Sequence, residues 1–410
     1  MAAALAAAPT PVGAQATSSR PASAQGPAVR IDSVLDLATV VARALAVSPT
    51  VALGASSTAL RSDMTTTPPV GSSGATSYSA GLSSSLEVFT GGRRGAELAR
   101  SDADLEAAVA IDVTQRFQTT LTAERAFYEA LRGQDLLTVA QARIVRAERG
   151  LRYAQDRMRA GTATKSDELR ARLELTTARQ QALAARDTLQ TAAYSLGRLV
   201  GADFPIGARP PASLEPRPLA LSDEQVVQLA TSAAPAVQAA QASARASEAA
   251  TRSARSLYAP DVKLLGGYNF ANQTSLIGAV RPGWQVALGA SLPIFNGFQR
   301  EDAITRSEAL ADVSRVTALD ATRQARTDAA RLLSALRLSE ENIALANEAV
   351  TAAHEDLRVQ TERYRAGIAT SLDQLTSELA VTQAELGLVA AHYTYQITRV
   401  TLEALVGRSL

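Results

Sequence analysis

Cysteine and histidine, the residue types that most often act as nucleophiles and metal ligands, are almost absent from this chain. There is no cysteine, which excludes disulfides, thiolate metal sites and cysteine nucleophiles. His354 and His392 each lie in a helical pattern without a second histidine four residues away, so we interpret both as helix residues rather than metal ligands. G-x-S-x-G and P-loop motifs are also missing. We therefore predict that the protein is not an enzyme and uses no metal or cofactor.

Arginine, glycine and threonine recur instead in two copies of one pattern. The spacing Arg-x-x-x-Gly-x-x-Thr occurs twice, 206 residues apart. A repeat this long is not a solenoid unit, so we interpret the chain as a duplication whose copies occupy equivalent places. The offset relates these pairs: Arg157 and Arg363, Gly161 and Gly367, Thr164 and Thr370, Phe89 and Phe295, Gly91 and Gly297, Arg94 and Arg300, and Gly201 and Gly407.

The chemistry of this pattern is that of a sharp turn between two helices. Gly161 supplies the left-handed residue that ends one helix, and Gly367 does so in the second copy. Thr164 followed by Asp167 fits a capping box that starts the next helix, and Thr370 is followed in the same way by Asp373. The arginines either contact a partner or complement the dipole at the helix end. We call residues 159–164 the first tip and residues 365–370 the second tip.

Long helical stretches flank both tips. Leu137, Ile144 and Leu151 are spaced by seven residues, and the second copy repeats the spacing from Leu336 to Leu357, as in supercoiled helices. A helix of this length is roughly 100 Å long. We predict one antiparallel helical hairpin at about 93–201 and another at about 298–407.

Before each hairpin the hydrophobic period changes from helical to two. The alternation predicts strands at about 50–60 and 76–89 in the first copy, and at about 261–271 and 284–294 in the second. Each strand is long enough to cross a bilayer in a tilted barrel. Four strands cannot close a barrel, because the smallest membrane barrels have about eight. A membrane role therefore requires several chains to share one barrel, whereas the alternative is a soluble sheet with one face on a core.

Composition limits the remaining classes of function. The chain has 410 residues, of which 46% are hydrophobic but only 4% aromatic, and a formal net charge of +1. This balance gives no support for nucleic-acid binding. Helical membrane spans are not expected, since no run of 18 or more apolar residues occurs.

We interpret residues 1–30 as a signal-like or disordered leader, 31–201 as the first repeat, 202–220 as an extended Pro-rich linker, and 221–410 as the second repeat. Within the second repeat, Glu224 to Leu257 is predicted to form one long helix.

The order of these segments resembles one known family. An apolar strand, Leu-x-x-Phe-x-Gly, a very long helix, an Arg-x-x-x-Gly tip and a second helix, all duplicated, are similar to the TolC-type outer-membrane efflux proteins. The resemblance covers nearly everything from Asp32 onward. It implies a mostly α fold with a small β portion: a homotrimer whose twelve strands form a transmembrane β-barrel in outer-membrane lipid. Twelve long helices would continue this barrel as an α-helical barrel through the periplasm.

The resemblance also implies roles for the tip residues. A periplasmic adaptor, which couples the channel to an inner-membrane pump, would bind at Arg157, Gly161, Thr164, Arg363, Gly367 and Thr370. Asp373 and Tyr364 would form the channel gate. The family's second gate aspartate is Thr376 here, so at most one ring of three Asp373 carboxylates is expected, and helix capping is an alternative main role for Asp373.

The resemblance implies an outer-membrane channel of a tripartite efflux or type I secretion system, which serves as a passive exit duct that the adaptor opens. A secreted or periplasmic helical scaffold without a pore is the alternative. Drug, metal and protein export share the architecture, so the sequence leaves the substrate open.

Overall fold

The computed structural model describes residues 34–47, 78–272 and 281–410. The predicted leader and the predicted strand at 50–60 lie outside these residues. In chain order the elements are β1 (Val34–Leu35), α1 (Leu37–Val47), β2 (Tyr78–Phe89), α2 (Arg93–Arg159), α3 (Lys165–Leu199), β3 (Gly207–Ala208), α4 (Asp223–Ser232), α5 (Pro235–Arg255), β4 (Asp261–Asn272), β5 (Arg281–Ser291), α6 (Gln299–Arg365) and α7 (Ser371–Val406).

Two long helical hairpins dominate the fold. The first hairpin consists of α2 and α3, and the second of α6 and α7. Both α2 and α6 have 67 residues, which corresponds to roughly 100 Å, and their first and last residues differ by the same offset of 206. The mostly helical character of the protein is thus confirmed, and the two copies are equal in the length of their longest helix.

Alanine lets the helices approach closely within a hairpin. Ala147 of α2 is buried against Leu175 and Ala178 of α3, with Ile144 and Leu151 partly buried beside them. The residues at this seven-residue spacing therefore do face a neighbouring helix, as the sequence predicts. Because alanine adds little side-chain volume between two backbones, such contacts favour close side-by-side packing of long antiparallel helices over a thick core.

The larger side chains are buried away from the tips, in two clusters. One cluster joins α1, α2, α3 and α7 around Phe127 and Leu131, and the other joins α4, α6 and α7 around Leu336 and Tyr395. The linker is attached to this region. The Tyr395 hydroxyl donates a hydrogen bond to the Arg217 carbonyl oxygen at 2.9 Å, and β3 pairs in parallel with β1.

One predicted helix is wrong, because the segment from Glu224 to Leu257 is divided. The first part, α4, ends at Ser232, and α5 begins at Pro235. Proline lacks an N–H group and disfavours helical geometry in the residue before it, and Ala234 accordingly has φ −55° and ψ 133°. After Arg255 a 3₁₀ turn, Ser256–Tyr258, leads into β4.

The strands form an antiparallel sheet in the order β2–β4–β5. β5 ends at Ser291 rather than near residue 294, because Ser291 pairs with Asp261, the residue at which the partner strand β4 begins. The register places Trp284 opposite Tyr268, and Leu288 opposite Leu264, which lies opposite Leu86. These side chains share one face of the sheet. Among the described residues, no helix combines the length and hydrophobicity needed to cross a membrane.

Candidate functional site

The first tip is a tight helix-to-helix turn. α2 ends at Arg159, and Gly161 follows with φ +72°. The Thr162 N–H donates to the Arg157 carbonyl oxygen at 2.8 Å, which satisfies one acceptor at the helix end. Thr164 then starts α3: its Oγ1 accepts from the Asp167 N–H at 3.3 Å, and Asp167 Oδ2 accepts from the Thr164 N–H at 2.9 Å.

The second tip repeats this geometry closely. Gly367 has φ +77°, and the Ile368 N–H donates to the Arg363 carbonyl oxygen at 2.9 Å. Thr370 Oγ1 accepts from the Asp373 N–H at 3.2 Å, while Asp373 Oδ2 accepts from the Thr370 N–H at 2.8 Å. Hydrogen bonds from the Thr370 backbone and side chain lower the pKa of Asp373. Capping is therefore an observed role of this aspartate.

The two tips contact each other through residues of both hairpins. Arg157 Nη1 donates to the Tyr364 carbonyl oxygen at 2.5 Å, and its guanidinium lies 4.6 Å from the centre of the Tyr364 ring. Tyr364 is only 5% exposed, and this burial raises its pKa. Beside it, Ser371 Oγ donates to Asp167 Oδ1 at 2.5 Å. That bond is the main cause of the lowered pKa of Asp167.

The equivalent groups of the second tip face outward. Arg363 and Asp373 are exposed, and Arg363 Nη1 lies 3.5 Å from Gln360 Oε1 of its own helix. Ile368 and Leu372 are also largely exposed. The second tip thus presents a cation, a carboxylate and two apolar side chains on its surface.

Above the tips, ion pairs connect the hairpins along α2 and α7. Arg146 of α2 donates to both carboxylate oxygens of Glu385 on α7, at 3.1 and 2.8 Å, and to the Thr382 hydroxyl at 3.2 Å. One turn closer to the tips, Gly150 lies beside Glu378. Burial raises the pKa of Glu378. This side of the interface is therefore basic on α2 and acidic on α7.

At the other end of the hairpins, the sheet exposes a strongly apolar face. Trp284, Val286 and Leu288 of β5 are exposed to 79, 64 and 70%. Beyond the strand, Ile294 and Phe295 are exposed to 89 and 73%. A soluble monomer rarely leaves a contiguous patch of this kind uncovered.

The opposite face of the same sheet carries charged side chains at its end next to α2, with the half-exposed Leu265 beyond them. Lys263 of β4 lies 3.5 Å from Glu87 of β2 and 3.4 Å from Asp261 of its own strand. Arg93, the first residue of α2, lies 3.2 Å from Glu87. Since successive side chains alternate between faces, the sheet separates an apolar side from a charged side.

A comparison with protein-family models covers both ends of the molecule. The model described as outer membrane efflux protein matches residues 28–202 and 226–408, which include both hairpins and all three strands of the large sheet. The chain belongs to the outer membrane efflux protein family. The resemblance inferred from the sequence is thereby confirmed. The family is one of channels rather than enzymes.

Solved structures share the fold of this outer membrane efflux protein at low sequence identity. The outer membrane protein VceC of Vibrio cholerae is 18% identical, with a TM-score of 0.74 over 91% of this chain and 96% of its own. CusC is 17% identical, with a TM-score of 0.75 over 91% and 92%. The Campylobacter jejuni CmeC outer membrane channel is 12% identical, with a TM-score of 0.70 over 81% and 77%. No curated protein sequence matches the chain.

Sequence reasoning about this efflux protein missed the residues that join its tips. Ser371 and Tyr153 were not singled out, although Ser371 donates to Asp167 and the Arg365 guanidinium lies 4.9 Å from the centre of the Tyr153 ring. The repeat itself concealed them, because Ser371 corresponds to Lys165 and Tyr153 to Val359. The positions at which the two copies differ, rather than those at which they agree, could have indicated these residues from the sequence.

Proposed function

We propose that this chain is the outer-membrane channel of a tripartite efflux or type I secretion system. The observation that carries the proposal is the sheet, whose apolar face is exposed and whose opposite face is charged, at the end of two hairpins about 100 Å long. In a lipid-embedded barrel the apolar face would contact lipid, and the charged face would line water. The hairpins would extend into the periplasm.

The number of strands argues for a homotrimer. β2, β4 and β5 supply three strands, and the sequence predicts a fourth at about 50–60. Three chains would contribute about twelve strands, enough to close a barrel, whereas one chain would not. Within the described sheet, β2 and β5 are the edge strands, so their outer edges are the places where the remaining strand and the next chain would pair.

The tips are the proposed site of regulation. The periplasmic adaptor would bind the tip residues Arg157, Gly161, Thr164, Arg363, Gly367 and Thr370. Tyr364 would contribute to the gate from its buried position under Arg157, which holds the two tips together. Asp373 would contribute a ring of three carboxylates in addition to its capping role. Transport itself would be passive, driven by the inner-membrane pump.

Membrane fractionation and mass measurement test the channel against the alternative, a periplasmic scaffold. We expect the protein to sediment with outer membranes, to need detergent for extraction, to have the mass of a trimer in detergent and to conduct ions in planar bilayers. The exposed Trp284 face disfavours a scaffold, which would have to cover that face with protein. A water-soluble monomer would refute the proposal.

A double substitution tests the adaptor assignment separately. Gly161→Val combined with Gly367→Val distorts both turns while leaving the sheet unchanged, so the variant should reach the outer membrane as a trimer but lose adaptor cross-linking and export. Normal export and cross-linking would refute the assignment of adaptor binding to the tips. Adaptor and pump proteins that copurify with the cross-linked wild type would identify the substrate class.

A further inference from the structure

The two hairpins of one chain meet along α2 and α7, and we call this contact the seam. Its middle is joined by polar contacts in which a donor on one helix meets an acceptor on the other. These contacts are Arg125 Nη2 to Thr401 Oγ1 at 3.0 Å, the Tyr393 hydroxyl to Asp135 Oδ2 at 2.7 Å, and Arg146 Nη2 to Glu385 Oε2 at 2.8 Å. The helices are therefore complementary over this stretch.

The two ends of the seam lack this complementarity. At one end, the partly buried Glu124 of α2 lies near Glu403 of α7, a second carboxylate. At the end near the tips, Glu378 of α7 lies over Gly150 of α2, a residue without a side chain that could bind it. Within the described ranges neither Glu124 nor Glu378 forms an ion pair, so each end places a carboxyl group in the contact without the counterion that the middle provides.

We propose that Glu124 and Glu378 each take up a proton from solvent as the two hairpins pack together, so that mild acid strengthens the seam. The proposal goes beyond the proposed function, because the seam lies within one chain and its packing requires neither lipid nor a partner protein.

The arginines nearest Glu378 already have partners. Arg143 Nη2 lies 2.7 Å from Glu174 Oε1, and Arg146 donates to both carboxylate oxygens of Glu385. Burial raises the pKa of Glu378, and the charges of the two arginines offset this effect only in part. Protonation of Glu378 therefore removes a buried charge and breaks neither of these ion pairs.

The remaining neighbours of Glu378 also favour its protonated form. Gln374 Nε2 donates to Glu378 Oε1 at 3.1 Å, and both side chains line a cavity of about 410 Å³ between the hairpins. Four further titratable groups line this cavity: Asp167, Arg170 and Glu174 of α3, and Tyr364 of α6. Carboxylates outnumber cations here, and the charge of Glu174 adds to the effect of burial on the pKa of Glu378.

Glu124 has similar surroundings at the other end of the seam. Glu403, which faces it from α7, accepts a hydrogen bond from Arg399 Nε at 3.2 Å. Tyr128, one turn further along α2, is buried, and the cations Arg399 and Arg217 lie near its ring. Burial, together with the charge of Glu403, raises the pKa of Glu124 to about 7.

These pKa values fix the direction in which pH acts on the seam. A carboxyl group whose pKa is raised by packing binds its proton more tightly when the hairpins are together than when they are apart. The added stability is therefore complete below the ordinary pKa of glutamate, 4.5, and is lost as the pH rises through the raised pKa. At lower pH the paired carboxylates, among them Asp167 with its lowered pKa, become protonated and weaken the contact. The seam should be strongest near about pH 5.

For the proposed channel, this coupling affects how an adaptor opens the tips. Separation of the hairpins would release protons, so by linkage a partner that stabilises the separated form binds more weakly in acid. This consequence rests on the proposed function. Adaptor cross-linking to the wild type should accordingly be weaker at about pH 5.5 than at about pH 7.5, and cross-linking of equal strength would overturn the consequence.

Hydrogen exchange of the detergent-solubilised protein tests the coupling itself. Exchange of the α7 amides, divided by the intrinsic rate at each pH, should be about tenfold slower at about pH 5.5 than at about pH 7.5. The amides of α5 provide an internal reference, because α5 carries neither glutamate, and their corrected exchange should change little.

Two variants locate the groups that bind the protons. Glu124→Gln and Glu378→Gln place an uncharged side chain of the same shape at either end of the seam. Each should slow exchange at about pH 7.5 at its own end of α7 and remove most of the pH dependence there. The matched control, Glu129→Gln, replaces an exposed glutamate of the same helix as Glu124 and should keep the pH dependence of the wild type.

The outcomes distinguish this proposal from the channel assignment. Corrected exchange of α7 in the wild type that is independent of pH, or faster in mild acid, would overturn the proposal even if the variants do not fold. A double variant that keeps the full pH dependence would also overturn it. Either result leaves the channel assignment intact, whereas a water-soluble monomer would refute the channel and leave the proton uptake of the seam to be measured in the same way.

Discussion

The two tips have the same backbone but different surroundings. Gly161 and Gly367 differ in φ by only 5°, and both are followed by a complete capping box. Arg157, however, is bound to Tyr364 of the other hairpin, whereas Arg363 is exposed. The comparison teaches that a short local pattern determines the turn, while the position of a hairpin within the chain decides what its side chains contact.

The aspartates differ in the same way. Asp167 accepts a hydrogen bond from Ser371 in addition to its capping bonds, whereas the hydrogen bonds of Asp373 within the described residues are those with Thr370. The first tip is therefore held by residues of the second hairpin, whereas the second tip presents Arg363 and Asp373 on the surface of the chain. This distinction predicts how equivalent substitutions in the two tips change local stability. Their effects should be unequal where the replaced side chain contacts the other hairpin, and equal where it contacts only its own turn.

The largest effect is expected for substitutions that forbid the shared turn. A β-branched residue is strained at positive φ, and Gly161→Val and Gly367→Val should each cost about 1–3 kcal/mol of local stability. The two effects should be similar, since the two φ values differ by only 5° and neither added Cβ atom would clash with a neighbouring group. Hydrogen exchange of the amides in each tip measures both effects.

A glycine outside the tips supplies the control for these variants. Gly387 lies in the interior of α7, and a Cβ atom added there would have no other atom within 4 Å. Gly387→Ala should therefore slow exchange by removing the flexibility of glycine in a helix. Unchanged exchange at the first tip in Gly161→Val would contradict the strain argument.

The next effect distinguishes the two tips most sharply. Arg157→Ala removes a charged, partly exposed hydrogen bond to the Tyr364 carbonyl oxygen and the contact with its ring, so we expect a loss of about 1.5 kcal/mol in local stability. Arg363→Ala removes an exposed side chain and should change stability by less than about 0.5 kcal/mol. Exchange rates at residues 364–374 in the separate variants measure the difference.

Equal effects of the two arginine substitutions in the detergent-solubilised trimer would have a clear meaning. Either Arg363 is held by a neighbouring copy as firmly as Arg157 is held within the chain, or the bond to Tyr364 contributes little. The size of the effects separates these cases: two large losses would mean that Arg363 is held by a neighbouring copy, and two small losses would mean that the bond to the Tyr364 carbonyl oxygen contributes little.

The parts of this molecule that sequence reasoning predicted correctly are the local ones. Gly161, Gly367 and the Thr–Asp pairs were interpretable because a turn of this kind admits few residue types. Pro235 also acts locally, but the helical pattern of small residues on both sides of it concealed the break. The contact of Arg157 with Tyr364 depends on how two hairpins pack, and no spacing within one hairpin contains that information.

Removing the capping hydroxyls should give smaller and equal effects. Thr164→Ala and Thr370→Ala each delete the acceptor for an Asp N–H, which typically costs about 1 kcal/mol. The two values should agree, because both caps have nearly the same geometry. Thr376→Ala is the control and should have little effect, since the hydroxyl of Thr376 donates to the Leu372 carbonyl oxygen of its own helix and caps no helix end. A cap effect at only one tip would show that the surroundings also determine the turn.

The smallest effect concerns the response of the tips to acid. Hydrogen bonds lower the pKa of both Asp167 and Asp373 in the folded protein. Folding therefore favours the ionised carboxylates, so the stabilisation they provide is complete above about pH 4 and is lost as the pH falls through their lowered pKa values. Ser371→Ala removes the largest cause of the lowered pKa of Asp167 but does not touch the hydrogen bonds of Asp373.

This substitution should therefore raise the pKa of Asp167 towards its ordinary value and leave that of Asp373 unchanged. Carbon NMR of protein labelled at the aspartate carboxyl groups can follow both, with Asp167→Asn and Asp373→Asn spectra to assign the two signals. A shift of equal size at both residues would mean that the bond from Ser371 is not what distinguishes them. A shift confined to Asp167 would identify the contact between the hairpins as the source of the asymmetry, because the capping bonds are common to both tips and cannot produce it.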